Sequence, residues 1–242
     1  MECSVNGKTI VVTGAGQGIG NELCRTLERL GAKVIAVSRS SGPLEQLKKD
    51  CQDIETIQVD LSNWNGTKAA LGTLEKVDGL VNNAGIAIIK PFLELTEEDY
   101  DRTFDVNVKA AFHVAQILAP KMGPGSSIVN VSSLAGLKAI HGHCVYSMSK
   151  AAVDGLTKNL ALELGSRKIR VNSVNPTVIL TRMGRENWSD PAKADPLKAK
   201  IPLGRFGEVD EVVAPIVYLL SDQSSFINGH SLPVEGGFLA GN

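Results

Sequence analysis

The 242-residue sequence predicts an α/β protein in which a seven-stranded parallel sheet is doubly wound, with helices on both faces. Short runs rich in β-branched residues alternate with longer amphipathic stretches, the pattern left by strands joined through helical crossovers. Several of these runs are continuously apolar rather than alternating, as strands buried on both faces are. The first run also passes directly into a glycine-rich turn that opens a helical pattern.

In chain order, residues 9–13 form the first candidate strand, and Ile19, Leu23, Leu27 and Leu30 recur at helical spacing over 18–30. Strands at 33–38 and 56–60 flank a helix at 43–51, and a helix at 63–74 leads to a strand at 79–82. A long helix is expected over 97–119, because Thr96 can cap it and Glu97, Glu98 and Asp99 occupy its first turn, at the positive end of the helix dipole. A strand at 127–132, a helix at 146–165, a strand at 170–175, a helix at 208–220 and a strand at 231–234 complete the order. No internal repeat, low-complexity tract or Ser/Gly-rich linker interrupts it, so residues 1–242 are expected to form one domain. The regular spacing fails over 177–205, where Trp188, Pro191, Pro196 and Pro202 break up a long connection. Long connections in compact proteins commonly carry function, and this one is expected to be a substrate-binding loop or lid.

Composition narrows the function. With 43% hydrophobic residues, 21% charged residues and a formal charge of −1, the chain offers no electrostatic case for coating nucleic acid or an anionic membrane. It contains no apolar run long enough for a membrane span or, within its first ten residues, for a secretory leader. A cytoplasmic location is therefore expected. Cys3, Cys24, Cys51 and Cys144 lie far apart without a CxxC pair, so they are read as reduced thiols, and no metal site is expected.

Glycines at 14, 18 and 20 follow the spacing G-x-x-x-G-x-G between the first strand and the first helix. A turn without Cβ atoms lets backbone N–H groups approach a pyrophosphate, and the helix N-terminus adds partial positive charge. Gly14, Gln17, Gly18, Ile19 and Gly20 are thus candidate dinucleotide contacts. About twenty residues on, where an NAD site offers an acid to the ribose 2′-hydroxyl, stand Ser38 and Arg39. A hydroxyl and a guanidinium can bind a 2′-phosphate that an acid would repel, which favours NADP(H).

Tyr146 and Lys150 stand four apart at the head of a helix, so they share a face. Ser132 and Ser133 close the fifth strand, and either hydroxyl could meet that face at the ligand-binding end of the sheet. A lysine ammonium beside a tyrosine favours the phenolate and lowers its pKa toward neutrality, giving an acid/base pair.

With the glycine turn, these residues resemble the short-chain dehydrogenase/reductase family, whose fold is a single Rossmann-type domain. The further matches are Asp60, Asn82-Asn83-Ala84-Gly85, Asn107 and Asn175-Pro176 with Thr181. The resemblance selects Ser133, thirteen residues before the tyrosine, over Ser132. It implies that Tyr146 protonates a carbonyl oxygen, that Ser133 hydrogen-bonds that oxygen, and that Lys150 binds the nicotinamide ribose. Asn107 would position a water linking Lys150 to solvent. Asp60 and Leu61 would meet the adenine, Asn83, Ala84 and Gly85 would pass beneath the ribose, and Pro176, Val178 and Thr181 would meet the nicotinamide. Two positions depart from the family pattern: Thr177 stands where glycine is common, and Gln17 where many NADPH-using members carry a basic residue.

Longer stretches, among them 11–20, 168–178 and 232–238, resemble family members that reduce small sugars and α-dicarbonyls with NADPH. In that comparison His143 and Trp188 join Ser133 and Tyr146 as substrate contacts, and Leu134 replaces a polar residue. A 3-oxoacyl-thioester reductase is the alternative within the family, and an NADPH-binding regulatory protein without turnover is the alternative outside it. A homotetramer is also implied, built through the 97–119 and 146–165 helices and the C-terminal strand.

Overall fold

The computed structural model describes residues 4–241; the side chains of Met183 and Asn187 lie outside that description, as does Cys3. Cys24, Cys51 and Cys144 are free thiols. The strands are β1 (Thr9–Thr13), β2 (Lys33–Ser38), β3 (Glu55–Gln58), β4 (Gly79–Asn82), β5 (Ser127–Val131), β6 (Arg170–Pro176) and β7 (Ser231–Val234). All pair in parallel, in the order β3-β2-β1-β4-β5-β6-β7. The chain winds outward from β1 to β3 and then, starting again at β4, outward on the other side. That reversal opens a crevice beyond the C-terminal ends of β1 and β4, where sheets of this kind take their ligands.

Helices α1 (Gly18–Arg29), α2 (Ser41–Asp50) and α3 (Trp64–Gly72) serve the first half of the sheet. They are followed by α4 (Glu97–Phe104), α5 (Ala110–Leu118), α6 (Leu134–Leu137), α7 (Cys144–Leu164), α8 (Arg182–Asn187), α9 (Pro191–Lys198), α10 (Asp210–Leu220) and α11 (Phe238–Gly241). Alternate residues of β1 feed different cores. Ile10 and Val12 pack with Leu23, Leu27, Ile216 and Leu219 on one face, and Val11 packs with Leu80, Val114, Leu118 and Ile128 on the other. Two-sided burial explains the unbroken apolar run, since each buried aliphatic side chain contributes about 1.5–3 kcal/mol of transfer free energy. No helix among the described residues is long and apolar enough to cross a membrane.

Several boundaries shift from the sequence expectation. The edge strand β3 ends at Gln58, opposite Ser38, rather than at residue 60, and Asp60 turns out of the sheet to accept the Ser62 N–H at 3.0 Å. The expected 97–119 helix divides at a π-helical turn, Asp105–Lys109. Its cap forms as expected: the Thr96 hydroxyl accepts the Asp99 N–H at 3.2 Å and the Asp99 carboxylate accepts the Thr96 N–H at 3.1 Å.

The largest difference lies in 177–205, which holds α8 and α9 instead of an irregular connection. Asp190 caps α9 by accepting the Ala192 N–H at 2.9 Å, and Pro191 takes the first helical position, where a missing N–H is harmless. A proline read as a breaker is here a starter. The segment is pinned at its ends, with the Leu180 N–H donating to the Gly207 carbonyl at 2.8 Å and the Gly207 N–H to the Val178 carbonyl at 3.1 Å. A small third core of Leu134, Ala194, Ile201, Phe206 and Phe238 underlies it.

Candidate active site

The β1–α1 turn is built around glycines that the geometry requires. Gly14 and Gly18 have φ of 66° and 57°, the left-handed region where a Cβ is strained. A Cβ on Gly20 would lie 2.4 Å from Asn83 Nδ2 and 2.5 Å from the Gly14 carbonyl oxygen, so the helix can meet the turn only without a side chain. Asn83 ties the turn to the end of β4: its Nδ2 donates to the Thr13 and Gly14 carbonyls at 3.0 and 3.2 Å. The Thr13 hydroxyl in return accepts the Asn83 and Ala84 N–H groups at 3.0 and 3.1 Å. No acidic residue occupies the first turn of α1, so its positive end stays available to an anion. Gln17 is its N-cap residue without a side-chain cap bond. Thr181 lies against the turn, its Cγ2 3.2 Å from where a Gly18 Cβ would be. This glycine cradle fits a dinucleotide pyrophosphate.

At the end of β2, the Ser38 hydroxyl comes within 2.8 Å of the position of a Gly16 Cβ, and Arg39 is exposed beside it. Arg39, Asp60 and Ser62 line one side of a cleft whose other side is Glu97, Glu98, Asp101, Arg102, Asp105 and Val106. The Ser62 hydroxyl, with its backbone N–H and Arg39 assisting, holds the Asp60 carboxyl below its ordinary range. Leu61 is partly buried against the β1–β4 core. Sequence reasoning missed Arg102 and Val106; only their spacing of five and one residues before Asn107 could have pointed to them.

Across the crevice, three consecutive residues at the end of β5 are fastened to α7. Lys150, 5% exposed, donates from Nζ to the Val131 carbonyl at 2.8 Å, and the Ser132 hydroxyl donates to the Lys150 carbonyl at 3.0 Å. Ser132 is therefore engaged in holding the helix. Ser133 is half-buried, its hydroxyl accepting the Ala135 N–H at 3.1 Å and making a long 3.5 Å bond to the Pro176 carbonyl. Of the two serines left open by the strand ending, Ser133 has the hydroxyl aimed toward Tyr146.

Burial pushes the Tyr146 phenol above its ordinary pKa, with the Ser133 hydroxyl pulling the other way. Burial also drives Lys150 down to about 8, against the pull of Asp154. The Lys150 Nζ sits 5.7 Å from the Tyr146 ring centroid and is turned to a backbone carbonyl. The expected lowering by the lysine is not seen here: burial dominates, and the opposing pull comes from the Ser133 hydroxyl.

Asn107 is buried and engaged on both ends of its amide. Its Oδ1 accepts the Ile86 N–H at 2.8 Å, and its Nδ2 donates to the Ile86 carbonyl at 2.9 Å and the Ser149 hydroxyl at 3.0 Å. It clamps the segment after Gly85 to α7, where a Gly85 Cβ would lie 3.5 Å from Lys150 Nζ. Thr177 needs no glycine conformation, because Lys168 is the non-glycine residue at positive φ among the described residues. Its N–H donates to the Val234 carbonyl at 3.2 Å.

The two expected substrate contacts differ. His143 Nδ1 lies 2.8 Å from the His141 carbonyl oxygen, to which it can only donate, so in the neutral ring Nε2 is the acceptor; the ring stands edge-on to Tyr146 at 6.2 Å. Trp188 packs edge-to-face on Phe206 at 5.4 Å, with Lys193 Nζ 4.8 Å over its ring, as an anchor of the third core. Leu134 is 1% exposed in the same cluster. Its side chain belongs to the third core.

A glycine cradle at the switch point, facing a Ser–Tyr–Lys set across the crevice, defines a dinucleotide-dependent oxidoreductase of the α/β class. The sequence matches the family profile described as enoyl-(acyl carrier protein) reductase over residues 14–239. It is 50% identical to the L-xylulose reductase of Homo sapiens over 243 aligned positions, covering 99% of this chain and all of that protein. It is 47% identical to carbonyl reductase [NADPH] 2 of Sus scrofa, covering 99% of this chain and all of that one. Among solved structures, an assigned NAD(P)-dependent gluconate 5-dehydrogenase from Beutenbergia cavernae, with NADP bound at low occupancy, superposes with a TM-score of 0.92. That structure is 33% identical and covers 98% of this chain and 99% of its own. The chain belongs to the short-chain dehydrogenase/reductase family and is an NADP-dependent oxidoreductase acting on CH–OH and C=O groups.

Proposed function

We propose that the chain is an NADPH-dependent reductase of small ketoses and α-dicarbonyls, with L-xylulose and diacetyl as representative substrates. The observation that carries this reading is the Ser133–Tyr146–Lys150 set at the end of β5, in a chain half identical to an L-xylulose reductase throughout its length. Gly14, Gln17, Gly18, Ile19 and Gly20 hold the pyrophosphate, and Ser38 and Arg39 hold the 2′-phosphate. Asp60 and Leu61 flank the adenine, and Asn83, Ala84 and Gly85 pass beneath the ribose. Pro176, Val178 and Thr181 orient the nicotinamide, which supplies a hydride when bound.

Tyr146 is protonated at neutral pH because burial raises its pKa, so its phenol Oη can deliver a proton to the substrate oxygen. The Ser133 hydroxyl donates to the same oxygen, and protonated Lys150 binds ribose hydroxyls. His143 Nε2 accepts a hydrogen bond from a substrate hydroxyl, which a ketose can provide and a dicarbonyl lacks. Residues 1–242 act as one domain, with 177–205 as the lid, in a cytoplasmic homotetramer. Initial rates with NADPH and NADH across L-xylulose, diacetyl and an oxoacyl thioester test the assignment. NADPH oxidation with the ketose is expected, whereas turnover of the thioester alone would replace this reading.

A further inference from the structure

We propose that Asp154 is a positioning residue for the reaction: its buried carboxylate holds the Ser133 segment and the Lys150 end of α7 in one fixed arrangement. The role rests on the reading of Ser133, Tyr146 and Lys150 as the reacting set. Asp154 follows Tyr146 by eight residues and Lys150 by four, so the three share one face of α7. It is 5% exposed, and a carboxylate this buried is tolerated only when its oxygens are hydrogen-bonded. Oδ1 accepts from the Ser173 hydroxyl at 2.9 Å, and Oδ2 accepts from Asn175 Nδ2 at 2.9 Å. The same Nδ2 donates its other proton to the Ser133 carbonyl at 3.1 Å. One amide therefore links the carboxylate to the backbone of the serine whose hydroxyl faces Tyr146.

The neighbourhood is shaped for this contact. The Ser133 carbonyl also takes the Gly136 N–H at 3.0 Å, and a Cβ on Gly136 would lie 2.8 Å from Asp154 Oδ2. Glycine in α6 thus leaves room for the carboxylate. Ser173 Oγ lies 3.1 Å from Ser231 Oγ, which extends the network to β7. The groups facing the carboxylate are hydroxyls and amides from β6 and β7 and the backbone of α6, and the cation it supports is Lys150, whose ammonium burial disfavours and Asp154 favours. Ser133 and Lys150 are thereby set by one group: the first through Asn175, the second through charge along the helix.

Asp154→Asn keeps the shape, removes the charge and turns an amide toward one of two donors. Its kcat with NADPH and L-xylulose is expected to fall on the order of tenfold, with the alkaline limb of the rate profile moved to lower pH. The Lys150 ammonium, followed by ¹³C NMR of lysine-labelled protein without cofactor or substrate, is expected to titrate at lower pH than in the wild-type protein measured alongside it, because the charge of Asp154 favours the ammonium. Asn175→Ala cuts the link to Ser133 and leaves the charge, so kcat should fall while the Lys150 titration stays in place. Folded Asp154→Asn protein with wild-type kcat and wild-type Lys150 titration would overturn the proposal, as would Asn175→Ala with full kcat. If Asp154→Asn does not fold, Asn175→Ala still decides the serine link. The titration is read without turnover, so wild-type protein inactive on ketoses would sink the substrate assignment and leave this role to be decided by NMR.

Discussion

The β1–α1 turn and the 177–205 segment border the same crevice but are held in place by different forces. The turn is locked by backbone conformation and by Thr13 and Asn83, whose hydrogen bonds close it against β4. The 177–205 segment rests on a third core of five buried residues and on exposed ion pairs such as Arg185–Glu208 and Arg205–Glu211. The first region is a fixed receptor for a ligand that every cycle requires. The second is joined by a small core and by exposed ion pairs, which are contacts of the less stable kind.

Changes in the locked half should have the larger effects. Tyr146→Phe removes the proton donor without changing the cradle; kcat is expected to drop by about 10²–10⁴ while NADPH fluorescence titration gives a nearly unchanged Kd. A loss smaller than tenfold would remove Tyr146 as the acid. Gly14→Ala forces a Cβ into the left-handed region and to 2.8 Å from the Ala84 Cα. The conformational penalty alone is about 1–2 kcal/mol, so NADPH affinity should fall at least tenfold and Tm by several degrees. Arg39→Ala is expected to raise the KM for NADPH on the order of tenfold and to leave that for NADH unchanged. An equal effect on both cofactors would place Arg39 outside the 2′-phosphate site.

Changes in the second region should separate substrate from cofactor. Phe206, 3% exposed under Trp188, anchors the third core. Phe206→Ala costs about 3–5 kcal/mol where a core cannot collapse, and should raise the KM for the ketose and speed proteolysis within 177–205 while NADPH binding holds. If NADPH binding falls equally, the two regions are one cooperative unit. Arg185→Ala breaks an ion pair whose side chains are 60% and 50% exposed, and should change Tm and rate by less than the error of ordinary assays.

What the sequence disclosed follows the range over which each feature is determined. The glycine spacing, the Tyr146–Lys150 pair and the two-sided apolar strands are set within a few residues, and each is found where local pattern placed it. The choice between Ser132 and Ser133 needed family spacing, because which hydroxyl reaches α7 depends on how β5 and α7 meet. The direction of the Tyr146 shift was misread for the same reason: proximity is visible in an i, i+4 pair, but the depth of burial is not. Arg102 and Asp154 carry no local signal, and the bonds that join Asn175 to Ser133 and Asp154 arise from packing between elements distant in sequence. The helices of 177–205 were hidden because prolines end helices more often than they begin them.

The π-helical turn at Asp105–Lys109 restricts how this chain can change over evolutionary time. It holds one residue more than an α-helical turn. Deleting one residue there would close the wide turn to an α-helical one and leave the helices on either side in register, so the sheet contacts of Val114 and Leu118 would survive. What would move is Asn107, inside the turn, with its bonds to Ile86 and Ser149, so drift can shorten this turn only by giving up that clamp.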